Sequence, residues 1–168
     1  MQGKGSVTSC DIYEHKLKRI RDGAARLGLP NIRTELQDAS VCREEWKDSA
    51  DVVLCDVPCS GLGVIRKKPA IRFKNPDEIQ TLPESQARIL ANCAQYVKKG
   101  GTLVYSTCTI LQRENEDVVR AFVTENPEFE AVSWTHPVCG ERADGMVTLL
   151  PPVHNTDGFF IAKMRRKA

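Results

Sequence analysis

Apolar residues recur along this 168-residue chain with two alternating periods, about 2 and about 3.6, and the switches between them predict its elements. Ser6–Ile12 is rich in β-forming residues and follows a glycine-containing turn, which predicts a strand ending at the acidic Asp11. From Glu14 to Leu27 the residues Leu17, Ile20, Ala24 and Leu27 fall at helical spacing, with Lys and Arg between them and Gly28 as the stop. Ile32–Leu36 alternates as a short strand that reaches Asp38. Asp51–Asp56 has the pattern of a buried strand, broken by Pro58. Gly61–Pro83 is a long polar stretch. A second helix, Glu84–Lys98, carries Ile89, Leu90, Cys93, Ala94 and Val97 on one side and is closed by Gly100-Gly101. Thr102–Thr107 is another buried strand. Glu114–Asn126 is a third helix, with Pro127 past its end, and Phe129–Val132 and Gly158–Met164 predict an antiparallel edge.

Strands that alternate with helices imply an α/β fold, a mostly parallel sheet with helices on both faces. Ligands in such sheets gather at the carboxyl ends of the strands. Asp11, Asp38, Asp56 and Cys108 all lie at or just after the predicted ends of four different strands.

Composition narrows the class. With 41% hydrophobic and 27% charged residues the chain reads as one globular domain over 1–168. No apolar run reaches the ~18–20 residues of a membrane span, and the first residues lack the apolar core of a signal peptide, so a cytoplasmic protein is expected. The seven cysteines are odd in number, and several sit inside apolar runs, which fits reduced thiols better than a disulfide framework. A net charge of +2 is not that of a dedicated nucleic-acid binder, so the distribution of charge carries more than its sum.

Two segments carry unusual chemistry, Asp56-Val57-Pro58-Cys59-Ser60-Gly61 and Ser106-Thr107-Cys108-Thr109. Each places a thiol in the turn that leaves a buried strand. From about Ser6 to the C-terminus the sequence resembles the Sun (Fmu, or NOL1/NOP2/Sun) family of RNA 5-methylcytosine methyltransferases, whose Pro-Cys and Thr-Cys motifs these two segments match in order. The chemistry needs a thiol because carbon-5 of cytosine is too weak a nucleophile to take a methyl group unaided. A thiolate added to carbon-6 makes carbon-5 nucleophilic, and the carbon-5 proton must then be removed before the thiol can leave.

The resemblance implies a Rossmann-like methyltransferase fold, S-adenosyl-L-methionine as cofactor and ribosomal RNA as substrate. It implies Cys108 as nucleophile, Cys59 assisting product release as or near the base, and Asp56 hydrogen-bonded to the cytosine. DNA cytosine-5 methyltransferases use the Pro-Cys thiol as nucleophile instead, so the two thiols' roles stay open at this point. It also implies that Asp11 binds the cofactor ribose, as an acid at the end of a second strand does in nucleotide-binding folds, that Asp38 lies near the adenine, and that Asp56 joins them at the cofactor. Either aspartate alone reads equally as a local cap, Asp11 standing just before a helix.

Arg66, Lys67, Lys68, Arg72 and Lys74 place five positive charges in nine residues with no acid among them, beside the Pro-Cys turn, where contact with RNA phosphates is expected. The basic tail Lys163–Lys167 is expected to be solvated or disordered. Cys10, Cys55 and Cys93 fall within predicted strands or a helix face and are expected to be small buried hydrophobes. Cys42 and Cys139 have no assignment. Cys55 and Cys59 resemble half a zinc site, but no second pair accompanies them and Pro58 turns the thiols apart, so no metal is expected. The family's first strand and glycine-rich loop are absent, since Gly3-Lys4-Gly5 matches no G-x-G-x-x-G pattern. These residues alone are therefore expected to bind cofactor weakly or not at all. The alternatives are a transfer-RNA methyltransferase and a non-catalytic RNA-binding protein with the same fold.

Overall fold

The periods become elements at nearly the positions they predict. The computed structural model describes residues 1, 3–137, 140 and 142–168, so Cys139 lies outside the described residues. The chain forms two units, Met1–Cys42 and Arg43–Ala168.

In the first unit, strand β1 (Val7–Asp11) leads through helix α1 (Glu14–Arg26) to strand β2 (Ile32–Leu36). The strands pair in parallel from Val7 opposite Ile32 to Asp11 opposite Leu36. Leu17 and Ala24 are the buried positions of α1, and Gly28, at φ 64°, ends it in the left-handed conformation that suits glycine. Cys10 is exposed rather than buried. It alternates with the half-buried Ser9 and Asp11, and a two-stranded sheet covered by one helix has only one face to bury.

The second unit begins with a 3₁₀ turn, Glu44–Trp46, and strand β3 (Ala50–Asp56). The stretch read as polar loop holds two more 3₁₀ turns, Leu62–Val64 and Pro69–Phe73, and helix α2 (Pro76–Gln80), with Pro69 and Pro76 at first positions, where a missing N–H costs nothing. Helix α3 (Leu82–Ala94) follows and ends four residues short of the expected Lys98. Val97 continues the apolar period of the helix but already belongs to strand β4 (Val97–Thr107). Ala50 pairs with Val97 and Val52 with Thr102, so Gly100 and Gly101 sit in a bulge of β4 instead of closing a helix.

Helix α4 (Glu116–Glu125), strands β5 (Phe129–Ala131), β6 (Trp134–Thr135), β7 (Arg142–Ala143) and β8 (Met146–Leu149), helix α5 (Pro151–His154) and strand β9 (Phe159–Arg166) complete the unit. The main sheet has the order β3-β4-β9-β5, with β8 also paired to β9. β3 and β4 are parallel, and β9 runs antiparallel to β4, β5 and β8, so β9 alone opposes the other four strands. Leu90, Val97, Leu103, Tyr105, Val119, Phe122, Phe160, Ala162 and Met164 are buried as its core.

The basic tail is not loose. Phe160, Ala162 and Met164 alternate inward along β9, and Lys163 and Arg165 register against Val104 and Thr102 of β4. β3 is less buried than its composition predicts. Val52 and Leu54 are 62% and 66% exposed because β3 pairs with β4 along one edge and only its Cys55 side is covered. No described helix is long and apolar enough to cross a membrane.

Candidate active site

Because β3 and β4 are parallel neighbours, with Asp56 opposite Ser106, the turns that leave them emerge side by side at one edge of the sheet. The backbone ties them together. Val57 N donates to Ser106 O at 3.2 Å, and Gly63 N donates to Cys108 O at 3.0 Å. The side chains add a Ser106 hydroxyl donating to Asp56 Oδ1 at 3.1 Å and a 2.7 Å bond between the Ser60 and Thr109 hydroxyls.

Held this way, Cys59 and Cys108, 49 residues apart in sequence, bring their sulfurs to 3.2 Å. That is well beyond the ~2.05 Å of a disulfide bond, and both are free, half-buried thiols. Burial, then the hydrogen bond and charge of Cys108, push the Cys59 thiol up to about 12. Cys59 therefore keeps its proton at neutral pH, and either thiol can be the donor in the hydrogen bond between the two. Cys55 and Cys93 form a second, buried pair with no outlet, in which the hydrogen bond to Cys93 and burial push the Cys55 thiol up.

Glu114 is a residue the sequence reading took only as the start of a helix. It is fully buried, and its Oε2 accepts from Ser60 N at 2.8 Å and from Gln86 Nε2 at 2.9 Å. Its backbone carbonyl accepts from the Tyr105 hydroxyl at 2.6 Å, and burial raises that phenol so that it stays a donor. Asn115, also fully buried, accepts from Thr107 Oγ1 at 2.6 Å and donates to Thr109 O at 3.1 Å. Gly63 is the other omission. A Cβ there would lie 2.1 Å from Gly158 O and 2.8 Å from Cys108 O, so only glycine lets the first turn touch the second. The second glycine of Gly61-Leu62-Gly63 was the available signal; Glu114 gave none, since its partners are distant in sequence.

Asp11 and Asp38 belong to the other unit, at the same edge of the β1–β2 pair. Asp11 Oδ1 accepts from Tyr13 N at 2.9 Å and its Oδ2 pairs with Lys16 at 3.2 Å; Asp38 Oδ1 accepts from the backbone and hydroxyl of Ser40. Both thus have local turn roles. A carboxylate has about four acceptor positions, so Asp11 still has room for the hydroxyls of a ribose and Asp38 for an adenine amino group.

The basic cluster divides into three. Arg66 and Lys67 both reach Asp157, at 3.5 and 2.5 Å, an acid about 90 residues downstream, and Lys67 beside it holds the Asp157 carboxyl below its usual range. Lys74 Nζ turns inward and donates to Ser60 O at 2.9 Å and Cys59 O at 3.5 Å. Lys68 and Arg72 remain for a ligand. A cavity of about 200 Å³ lined by Asp48, Gln95, Phe129 and Arg166 lies at the far end of β9 and contains neither thiol.

Comparison with known proteins places this geometry. The family model for the 16S rRNA methyltransferase RsmB/F matches residues 1–165. A probable ribosomal RNA small subunit methyltransferase B of Bacillus subtilis is 46% identical over 99% of this chain, which covers 39% of that relative. The crystal structure of PH0851 superposes with a TM-score of 0.91 at 33% identity, over 99% of this chain and 38% of the other. The structure of NSun6 from Pyrococcus horikoshii with SFG gives 0.77 at 26% identity, over 99% and 43%. The chain therefore spans about two-fifths of the length of the relatives it matches.

Proposed function

The chain belongs to the 16S rRNA methyltransferase RsmB/F family, and from that premise we propose that it supplies the reacting thiols of an enzyme that methylates carbon-5 of cytosine in ribosomal RNA. The observation that carries this is the 3.2 Å approach of two thiols in adjacent strand-end turns, a spacing that lets one pyrimidine touch both.

In this mechanism Cys108 is the nucleophile. Cys59 keeps its own proton and lies in hydrogen-bond contact with the Cys108 sulfur at 3.2 Å, so it can assist without competing as the nucleophile. The thiolate adds to carbon-6, the carbon–sulfur bond forms, and electron density moves to carbon-5. Asp11 would hold the ribose and Asp38 would lie near the adenine of S-adenosylmethionine, which when bound would supply the methyl group. Asp56, fixed at its Oδ1 by Ser106, hydrogen-bonds the cytosine and favours protonation at its ring nitrogen, and that proton draws electron density away from carbon-6. The carbon-5 proton passes to a base beside Cys59, whose own thiol stays protonated, the carbon–sulfur bond breaks, and the Cys108 thiolate returns.

The test uses the full-length protein and its RNA. Cys59→Ala is expected to accumulate a covalent protein–RNA adduct on a denaturing gel, and Cys108→Ala is expected to form none. The reverse pattern overturns the roles, and adducts from neither variant overturn the covalent route.

A further inference from the structure

Phe73 ends the 3₁₀ turn Pro69–Phe73 with its ring 79% exposed, the highest value among the exposed large hydrophobic side chains of the described residues. A single exposed apolar residue needs no explanation by itself, but the setting of this one does. The turn that carries it is anchored. Ile71 Cδ1 packs 3.1 Å from where a Cβ of Gly61 would stand, and Lys74 Nζ bonds the carbonyls of Ser60 and Cys59. The residues on either side of the exposed ring are thus clamped to the turn that carries Cys59.

The chemistry around the ring is cationic. The Arg72 guanidinium lies 5.3 Å from its centroid, and Lys68 and Arg72 make no ion pair among the described residues. A flat apolar face flanked by unneutralised cations matches a nucleobase with its phosphate, and matches an apolar protein surface poorly.

We propose that Phe73 is a stacking platform for an unpaired RNA base next to the one that enters the two-thiol site, with Lys68 and Arg72 on the adjoining phosphates. This rests on the RNA reading above and adds to it a specific contact. Stacking on an aromatic face is tolerant of sequence, so the platform holds the strand in register while the thiol site selects the base.

The experiment measures binding of a fluorescently labelled single-stranded oligoribonucleotide by the full-length protein, across a series of salt concentrations. Phe73→Ala is expected to weaken binding roughly five- to 150-fold with an unchanged salt slope. Phe73→Trp is expected to keep the affinity, with its indole fluorescence quenched on binding, and Phe73→Leu to behave like the alanine variant. Lys68→Ala is expected to lower the salt slope by about 0.7. An alanine or leucine variant that binds like the parent overturns the proposal. So does a Phe73→Ala protein that melts several degrees lower with unchanged RNA affinity, which would place the ring against protein. If the parent itself binds no RNA, the functional reading falls as well; if the parent binds and methylates RNA and Phe73→Ala does the same, only the platform falls.

Discussion

Glu114→Ala is the substitution whose cost the structure defines best. The carboxylate oxygen Oε2 is the shared acceptor for Ser60 N–H at 2.8 Å and Gln86 Nε2–H at 2.9 Å, inside a fully buried cluster. Alanine removes that acceptor and leaves both donors dry, at about 1–3 kcal/mol each. Gln86 has no slack to compensate. Its amide nitrogen already donates to Pro58 O at 2.9 Å, and its Oε1 is buried without a partner. The expected loss is therefore about 2–6 kcal/mol, a large share of the ~5–15 kcal/mol that holds a domain together. At about 2–4 °C per kcal/mol for a chain of this size, melting should fall by roughly 4–24 °C. Glu114→Gln keeps a carbonyl oxygen for both donors and should cost about 1 kcal/mol. The contrast between the two variants is the measurement, by calorimetry of the full-length protein alongside its methyl-transfer rate. Because the Ser60 backbone positions the neighbouring Cys59, the rate should fall with the alanine variant more than RNA affinity does. An alanine variant that melts within a degree of the parent, or a glutamine variant as damaging as alanine, would refute the reasoning.

Further outcomes concern the glycines and the thiols. Gly63→Ala must part the two segments, since its Cβ would meet backbone oxygens of Gly158 and Cys108, and a loss of about 1–3 kcal/mol is expected. Gly23→Ala, in helix α1 with open space around it, is expected to stabilise by about 0.5–1 kcal/mol, so equal melting shifts for the two would contradict this account. Cys59, held up to about 12, should resist alkylation by iodoacetamide at pH 8. The folded state grips that proton more tightly than the unfolded chain does. The stability this contributes is complete below the ordinary thiol value and is lost as pH rises through the raised one. Cys108→Ala removes two of the causes and leaves burial, so peptide mass spectrometry should find Cys59 alkylating faster in that variant. Fast alkylation of Cys59 in the parent would contradict the hydrogen-bonded pair.

Local periodicity placed β1, α1, β2 and β3 within a residue or two, because each has its apolar stripe and its stop signal in its own segment. It failed where the deciding partner is remote. Nothing between Glu84 and Lys98 says that Val97 will leave the helix; its pairing with Ala50 does. Nothing in Arg66–Lys74 announces Asp157, which neutralises part of the cluster from the turn before β9. The tail's Lys163 and Arg165 looked solvated because charge was weighed above alternation, although Phe160, Ala162 and Met164 keep a period of two straight through it.

The meeting of the thiols was legible for a topological reason. Two strands joined by a helical crossover lie parallel, so the segments that leave them share one edge of the sheet whatever the length of chain between them. That rule turns a separation of 49 residues into neighbouring turns, and both cysteines stand within three residues of a strand end. It brings the turns together without setting the distance between their side chains. The last ångströms are set by contacts that no period encodes: Gly63 against Cys108 O, Ser60 against Thr109, and Glu114 beneath both. The two neighbouring thiols can thus be read from strand ends, whereas the residues that fix their separation must be read from the packed structure. Loss of Glu114 should accordingly disturb the thiol pair while both cysteines remain in place.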